Sequence, residues 1–133
     1  MPPSPSTPDP VDVLADEDPV GAVLRAHRDG VPIALRTSGT TARPRRVVRS
    51  TASWVDSFDT VEELAGLTQR SRVWVPGPST GTMSLFARVH AAVLGADLTP
   101  RATGSTHWVL TPAALATALE HASPGVIAIV AGD

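Results

Sequence analysis

The chain has 133 residues, a formal net charge of −2 and 42% hydrophobic residues, which suits one small α/β domain and leaves no room for a second full domain. It contains no cysteine, and this excludes disulfides, thiolate nucleophiles and cysteine-based metal sites. All eleven basic residues are arginine, so the chain has no lysine that could act in catalysis.

The first part of the chain combines a proline-rich segment with a helix and a strand. Residues 1–18 are predicted to form a disordered tail, because proline removes backbone donors and little apolar area is present. This segment also lacks the basic-then-apolar pattern of an export leader. Asp18 followed by Pro19 is a good helix start, and we expect a helix over 19–29. Val31–Leu35 is a short apolar run that predicts a buried strand.

Strands and helices then alternate, which predicts a mainly parallel, three-layer α/β sheet over residues 19–133. No apolar stretch approaches the roughly 20 residues that a membrane-spanning helix needs, so we expect a cytoplasmic protein with no membrane partner. The predicted elements in chain order are a strand at Arg46–Arg49, a helix capped by Ser50-Thr51, a strand at Arg72–Pro76, a helix between Gly81 and Gly95, a strand at His107–Leu110, a helix capped by Thr111-Pro112 and a strand at Val126–Ala131.

The segment between the first two strands carries the chemistry. Residues 37–45 read Thr-Ser-Gly-Thr-Thr-Ala-Arg-Pro-Arg, with four hydroxyls and a glycine in five consecutive positions. Hydroxyl and amide donors in such a loop can surround phosphate oxygens, because glycine permits the backbone angles that turn successive amides inward. The segment does not match the G-x-x-x-x-G-K-[ST] phosphate loop. A polar turn between two strands is the ordinary alternative.

The charges are unevenly distributed along the chain. Acidic residues cluster between Asp9 and Asp18, whereas five arginines between Arg36 and Arg49 have no acid among them. This basic segment should attract an anion. We do not expect nucleic acid as a partner, because the overall charge is negative and no aromatic residue lies among these arginines to stack on bases.

The ordered pattern Thr-Ser-Gly-Thr-Thr-x-x-Pro-Arg after a strand resembles the signature loop of the adenylate-forming superfamily. That superfamily includes acid–CoA ligases, luciferases and peptide-synthetase adenylation domains. The resemblance spans about residues 20–133 and is greatest to acid–CoA ligases similar to O-succinylbenzoate–CoA ligase. It implies a partial N-terminal subdomain of the adenylate-forming fold that binds ATP together with Mg²⁺. The residues that would contact the ATP phosphates are Thr37, Ser38, Gly39, Thr40, Thr41 and Arg45.

Two residues depart from the pattern of the family. Ala42 stands where glycine or serine is usual, and Arg46 replaces a common glycine, so the loop should be stiffer and its grip on ATP weaker. The remaining motifs that the resemblance implies are missing. The chain lacks the Thr-Glu motif for adenine and magnesium, and it has no lysine.

We therefore expect the N-terminal fragment, or one half, of an ATP-dependent acid–CoA ligase that is inactive alone and that a second polypeptide could complete. The alternatives are a non-catalytic nucleotide-binding or regulatory module and a decayed remnant. No catalytic residue is assigned, and the four histidines lack paired-ligand spacing for a metal. We expect His27, His90 and His121 to be packed or solvated residues of helices.

Overall fold

The computed structural model describes residues 8–37, 45–78 and 81–131. Strands and helices alternate through these ranges, which confirms the predicted α/β class. The strands are β1 Val11–Asp12, β2 Ile33–Thr37, β3 Arg45–Arg49, β4 Arg72–Trp74, β5 Asp97–Thr99, β6 His107–Leu110 and β7 Ile127–Val130. The α-helices are α1 Pro19–Asp29, α2 Thr51–Ala65, α3 Thr82–Leu94 and α4 Pro112–Ala118. Short 3₁₀ turns cover Val13–Ala15 and Leu119–His121.

The described strands form two sheets rather than one. Four strands make a parallel sheet in the order β5-β4-β6-β7, as the alternation of elements predicted. The other sheet has the order β1-β2-β3, in which β2 and β3 are antiparallel. Only residues 38–44 separate β2 from β3, and a parallel connection requires about a dozen residues or more. These two strands are therefore a hairpin in a sheet of their own.

The helix boundaries follow local capping signals. The Asp18 carboxylate accepts a hydrogen bond from the Gly21 N–H at 3.1 Å, and α1 ends at Gly30 with a φ of 67°. Ser50 caps α2 in the same way by accepting from the Ser53 N–H at 3.2 Å. Because glycine adopts this left-handed conformation at little cost, Gly30 is well suited to end its helix. The predicted positions of α1 and α2 are confirmed.

The segment predicted to be a tail contains structure between Val11 and Ala15. The Val11 N–H donates to the Pro32 carbonyl at 2.9 Å, and β1 pairs with β2 in parallel. Val13 is completely buried in the cluster formed by α1, α2, α3 and β2. The prediction of disorder across residues 1–18 was wrong for this part. The proline content suggested an extended segment, but Val13 and Leu14 pack against residues that are distant in the sequence.

Helix α3 packs against both sheets. Leu85 and Val89 belong to the cluster that includes α1, α2 and β2, whereas Ala87 belongs to the cluster that includes β4 and β6. On the far side of the parallel sheet, Trp108 is buried and its indole N–H donates to Ser105 Oγ at 2.8 Å. The helix is therefore the element that joins the two halves of the core.

Strand β7 is one of the two edges of the parallel sheet. Ile127 and Val130 are 42% and 41% exposed, so this strand presents apolar side chains to solvent. Among the described residues, no helix is both long and apolar enough to cross a membrane.

Replacing Val13 with alanine tests whether the N-terminal segment contributes to the core. We expect Val13→Ala to lower the free energy of unfolding by about 2 kcal/mol, because it removes two buried methyl groups. The matched control is Val11→Ala, in the same segment but 37% exposed, which should change stability by less than about 0.5 kcal/mol. Urea unfolding followed by circular dichroism measures both, and equal effects would contradict the assignment of Val13 to the core.

Candidate functional site

The predicted phosphate-binding segment connects the two strands of the β2–β3 hairpin. Thr37 pairs with Arg45 in the antiparallel register, and these residues are the last of β2 and the first of β3. The structure therefore describes the backbone at both ends of the predicted loop. Four of the residues predicted to contact phosphate lie outside the described part of the chain. They are Ser38, Gly39, Thr40 and Thr41.

Arginines face one another across the hairpin just below this loop. Arg36 lies directly opposite Arg46 in the register, and both are exposed. Like charges directly opposite one another on neighbouring strands destabilise a sheet. Among the ion pairs of the described residues, none includes Arg36, Arg46 or Arg49. A bound anion would relieve this repulsion, so the base of the loop is electrostatically suited to phosphate.

The N-terminus of α3 lies beside the end of β2. The Thr82 hydroxyl donates to the Arg36 carbonyl at 3.4 Å, which ties the first residue of α3 to the base of the loop. Gly81 occupies the N-cap position and has no side chain to occupy the free amides of the first turn. The partial positive charge at a helix N-terminus adds to the field of the arginines.

Arg88 holds the turn that connects β4 to α3. Its Nη2 donates to the Val75 carbonyl at 3.1 Å and to the Gly77 carbonyl at 3.3 Å. Its Nε is buried and has no hydrogen-bond partner within the described ranges. A Cβ at Gly77 would clash with Ser84 Oγ, so the turn packs closely against the first residues of α3. The role of Arg88 was not predicted from the sequence, although a charged residue between the apolar Ala87 and Val89 was a signal.

An apolar cavity of about 200 Å³ lies between α3 and the parallel sheet. Met83 and Phe86 line it near the N-terminus of α3, and Ile129 of β7 lines it from the sheet. The lining side chains are apolar apart from one histidine. The full lining is Val61, Leu67, Val73, Met83, Phe86, Ala87, His90, Ala91, Leu94, Ala96, Val109, Ile129 and Ala131. The cavity therefore suits a small apolar group.

His90 is the polar member of this lining and is only 4% exposed. Its Nε2 lies 3.0 Å from Glu62 Oε2 on α2. Its ring stacks on Phe58, with ring centres 4.3 Å apart and planes 3° from parallel. Two neighbours thus fix the orientation of the imidazole. The sequence placed His90 on a helix but contained no signal for the partner on α2.

The other histidines have local roles. His27 Nδ1 lies 2.9 Å from Thr51 Oγ1, and His107 Nε2 lies 2.7 Å from the Ala65 carbonyl oxygen. His121 is exposed beside Glu120. No group of three histidine or acidic side chains within the described ranges could hold a metal ion.

The fold matches that of solved adenylate-forming enzymes. VinN aligns with a TM-score of 0.57 at 21% identity over 74% of this chain and 28% of its own. O-succinylbenzoate coenzyme A synthetase (MenE) from Bacillus subtilis, in complex with AMP, aligns with a TM-score of 0.60 at 21% identity over 75% of this chain and 24% of its own. The Vibrio cholerae adenylation domain AlmE, in complex with glycyl-adenosine-5'-phosphate, aligns with a TM-score of 0.52 at 22% identity over 67% of this chain and 19% of its own.

These structural matches define the fold and its extent. The chain has the α/β fold of the N-terminal part of adenylate-forming ligases and spans 19% to 28% of the three solved chains described above. No protein-family model and no curated protein sequence matches it.

Replacing Arg88 with methionine tests its role in holding the turn. We expect Arg88→Met to lower the free energy of unfolding by about 2 kcal/mol, because two carbonyls lose a charged donor. The control Arg101→Met removes an arginine from an exposed position and should cost less than about 0.5 kcal/mol. Chemical unfolding of the two variants and the wild type measures this difference. A stable Arg88→Met protein would show that the turn does not depend on the guanidinium.

Proposed function

We propose that this chain belongs to the adenylate-forming superfamily as the N-terminal part of an ATP-dependent acid–CoA ligase. In the first reaction, a carboxylate oxygen attacks the α-phosphorus of ATP, an acyl-adenylate forms and pyrophosphate leaves. In the second reaction, a thiol attacks the acyl carbon, a thioester forms and AMP leaves. The single observation that best supports this proposal is that the two ends of the segment, Thr37 and Arg45, pair in the β2–β3 hairpin, while the preceding residue Arg36 contacts Thr82 at the N-terminus of α3.

The proposed role of the loop is to hold the β- and γ-phosphates of ATP. The contacts come from Thr37, Ser38, Gly39, Thr40 and Thr41, with Arg45 supplying a positive charge. Two further features favour an anion at this place. They are the pair Arg36 and Arg46, which makes no ion pair with the residues that the structure describes, and the N-terminus of α3, whose first residue contacts the Arg36 carbonyl. Charged donors already in place stabilise a phosphate group without reorganising when it binds.

The proposed place for the acid is the cavity beneath α3. Met83 lines the cavity, and the adjacent residue Thr82 contacts the base of the loop, so one helix connects the two compartments. An engineered cavity of about 150 Å³ accepts benzene, and the volume here is about 200 Å³. The proposed substrate is therefore a carboxylic acid with one aromatic ring or a short branched chain.

The chain is proposed to be inactive alone. It has no lysine and no Thr-Glu sequence, whereas the proposed reaction needs groups that stabilise charge at the α-phosphate. Losing one such group typically lowers the rate by about 10² to 10³-fold. A second polypeptide is proposed to supply these groups, and we propose that both act in the cytoplasm.

Binding of ATP to the isolated chain tests the role of the loop. We expect isothermal titration calorimetry to detect ATP binding by the wild type. Gly39→Val should abolish this binding and leave the helical circular dichroism signal nearly unchanged, because valine disfavours the backbone angles that turn amides inward. If Gly39→Val still bound ATP with the affinity of the wild type, the proposed role of the loop in phosphate binding would be wrong.

A second arginine of the same strand provides a control for charge. Arg49 lies at the other end of β3, opposite Ile33 in the register, and it is exposed. Arg45→Gln should weaken ATP binding by about tenfold or more, and Arg49→Gln should weaken it less. If the two variants are equally affected, the arginines act through general charge and not through contact.

Pyrophosphate exchange separates a split ligase from a non-catalytic nucleotide-binding module. We expect no exchange by the chain alone with ATP and a small aromatic acid. Exchange should appear when a polypeptide carrying the missing Thr-Glu and lysine motifs is added. ATP binding with no exchange in any such mixture would favour the non-catalytic module.

A further inference from the structure

The outer strands of the two sheets differ in charge. The strands at the edges are β1, β3, β5 and β7. Strand β1 contains Asp12, β5 contains Asp97 and β3 contains three arginines, whereas β7 contains no charged residue. Charged side chains on an outer strand oppose its pairing with another chain. The β7 edge therefore lacks a protection that the other three edges have.

The side chains of β7 leave apolar surface exposed on both sides of the strand. Residues 126–131 are all valine, isoleucine or alanine. Ile127 and Val130 are 42% and 41% exposed, and these two side chains point to opposite faces because their positions differ by an odd number. Parallel sheets are normally covered on both faces. A further strand beside β7 would bury part of this apolar surface.

The backbone of β7 also has hydrogen-bonding groups that face outward. The Ile127 N–H donates to the Thr106 carbonyl at 3.1 Å, and β6 and β7 are parallel. Backbone groups of successive residues alternate between the two sides of a strand, so the N–H and carbonyl groups of Ala128 and Val130 point away from β6. Among the described strands, β7 pairs with β6 alone. The outward groups can therefore pair with a strand from another molecule.

The sequence of this strand is complementary to itself. Val-Ile-Ala-Ile-Val is the same in both directions around Ala128. When a second copy of β7 runs antiparallel with the two Ala128 residues opposite one another, each Ile127 lies opposite Ile129 of the second copy. Each Val126 then lies opposite Val130 of the second copy. Every side chain meets one of its own type, and β-branched pairs of this kind stabilise neighbouring strands.

The same register satisfies the outward backbone groups. Each Ala128 N–H donates to the Ala128 carbonyl of the second copy, and each Val130 N–H donates to the Val126 carbonyl of the second copy. The isoleucines fall at the positions without hydrogen bonds, where the backbones of antiparallel strands lie closest and side chains pack tightly. Side-chain pairing and backbone pairing therefore favour one register.

We propose that this chain forms a two-fold symmetric dimer in which the β7 strands of two copies pair antiparallel around Ala128. The two parallel sheets then become one continuous sheet. Because both copies use the same edge, the contact is isologous and assembly stops at two copies. A second copy fits this edge better than a charged partner, since β7 offers no charge to complement. The proposal does not rest on the proposed function.

Sedimentation velocity of the full chain tests the dimer. We expect the sedimentation coefficient to rise from the value of a monomer to that of a dimer between about 10 µM and about 300 µM protein, because a single pair of short strands is a small interface and gives a weak, reversible complex. A wild type that stays monomeric throughout this range overturns the proposal, and the β7 edge would then belong to a different partner.

Substitution of Ala128 tests the position of the two-fold axis. Ala128 is exposed, so Ala128→Lys and Ala128→Glu should each fold. Either variant alone places like charges opposite one another and should raise the dissociation constant of the dimer by about tenfold or more. An equal mixture of the two variants should restore the dimer, because a lysine then lies opposite a glutamate.

The control for these variants is Ala92→Lys, which adds the same charge at an exposed position of α3. It should leave the dissociation constant unchanged. Ala128→Lys that dimerises as tightly as the wild type, or a mixture that does not restore the dimer, overturns pairing around Ala128.

A measurement on the wild type keeps the proposal testable if the Ala128 variants do not fold. Amide hydrogen exchange at Ala128 and Val130 should slow when the protein concentration is raised. Exchange at Ile127, whose N–H already donates to Thr106, should depend much less on concentration. An equal response of all three amides, or none, overturns the proposal. These experiments need no ATP, so their outcome and that of the ATP-binding tests are independent.

Discussion

Burial of α3 on two sides is the constraint on which the rest of the structure depends. Leu85 and Val89 are almost fully buried against the hairpin sheet and the first two helices, while Ala87 and Ala91 are buried on the side of the parallel sheet. Ala87 and Ala91 leave space beside the parallel sheet that larger side chains would fill, and the cavity lies there. Larger residues of the same helix, such as Phe86 and Leu94, complete its lining.

The same helix connects the charged and apolar parts of the site. Its first residue, Thr82, contacts the end of β2, and the residues that line the cavity extend along it from Met83 to Leu94. The Arg36 and Arg46 pair opposes formation of the hairpin. Buried Ile33 and Leu35 of β2 supply apolar burial that offsets this repulsion. The folded protein therefore keeps two like charges opposite one another at its surface, and the apolar cavity lies along the helix that contacts this end of β2.

Two polar residues on α3, the half-buried Arg88 and the buried His90, contact different elements. Arg88 faces the turn after β4 and holds its carbonyls, whereas His90 faces α2 and the cavity. Both are restrained by more than one neighbour, which is the condition for a side chain to act in one defined orientation. Their separation by two positions on one helix places one beside the turn and the other inside the cavity.

Local signals determined much of the secondary structure. Asp18 and Ser50 cap helices, Gly30 and Gly95 end them, and His107–Leu110 forms the predicted strand. Each depends on residues within one helical turn or one strand, so the sequence alone specified them. The hydroxyl-rich segment was also visible in the sequence. The phosphate contacts of Ser38, Gly39, Thr40 and Thr41 stay a prediction, since those residues lie outside the described ranges.

Only the tertiary structure decided how distant residues meet. Several features depend on residues that no local pattern relates. They are the separation of the hairpin from the parallel sheet, the burial of Val13, the contact of Arg88 with Val75 and the pairing of His90 with Glu62. The His90 and Glu62 pair spans 28 positions, and neither residue carries a motif. The amino-acid sequence by itself determined where the four described α-helices begin and which segment is rich in hydroxyl groups. The cavity and its polar residue arise from packing between elements, because an empty volume is defined by all the side chains around it and by none of them alone.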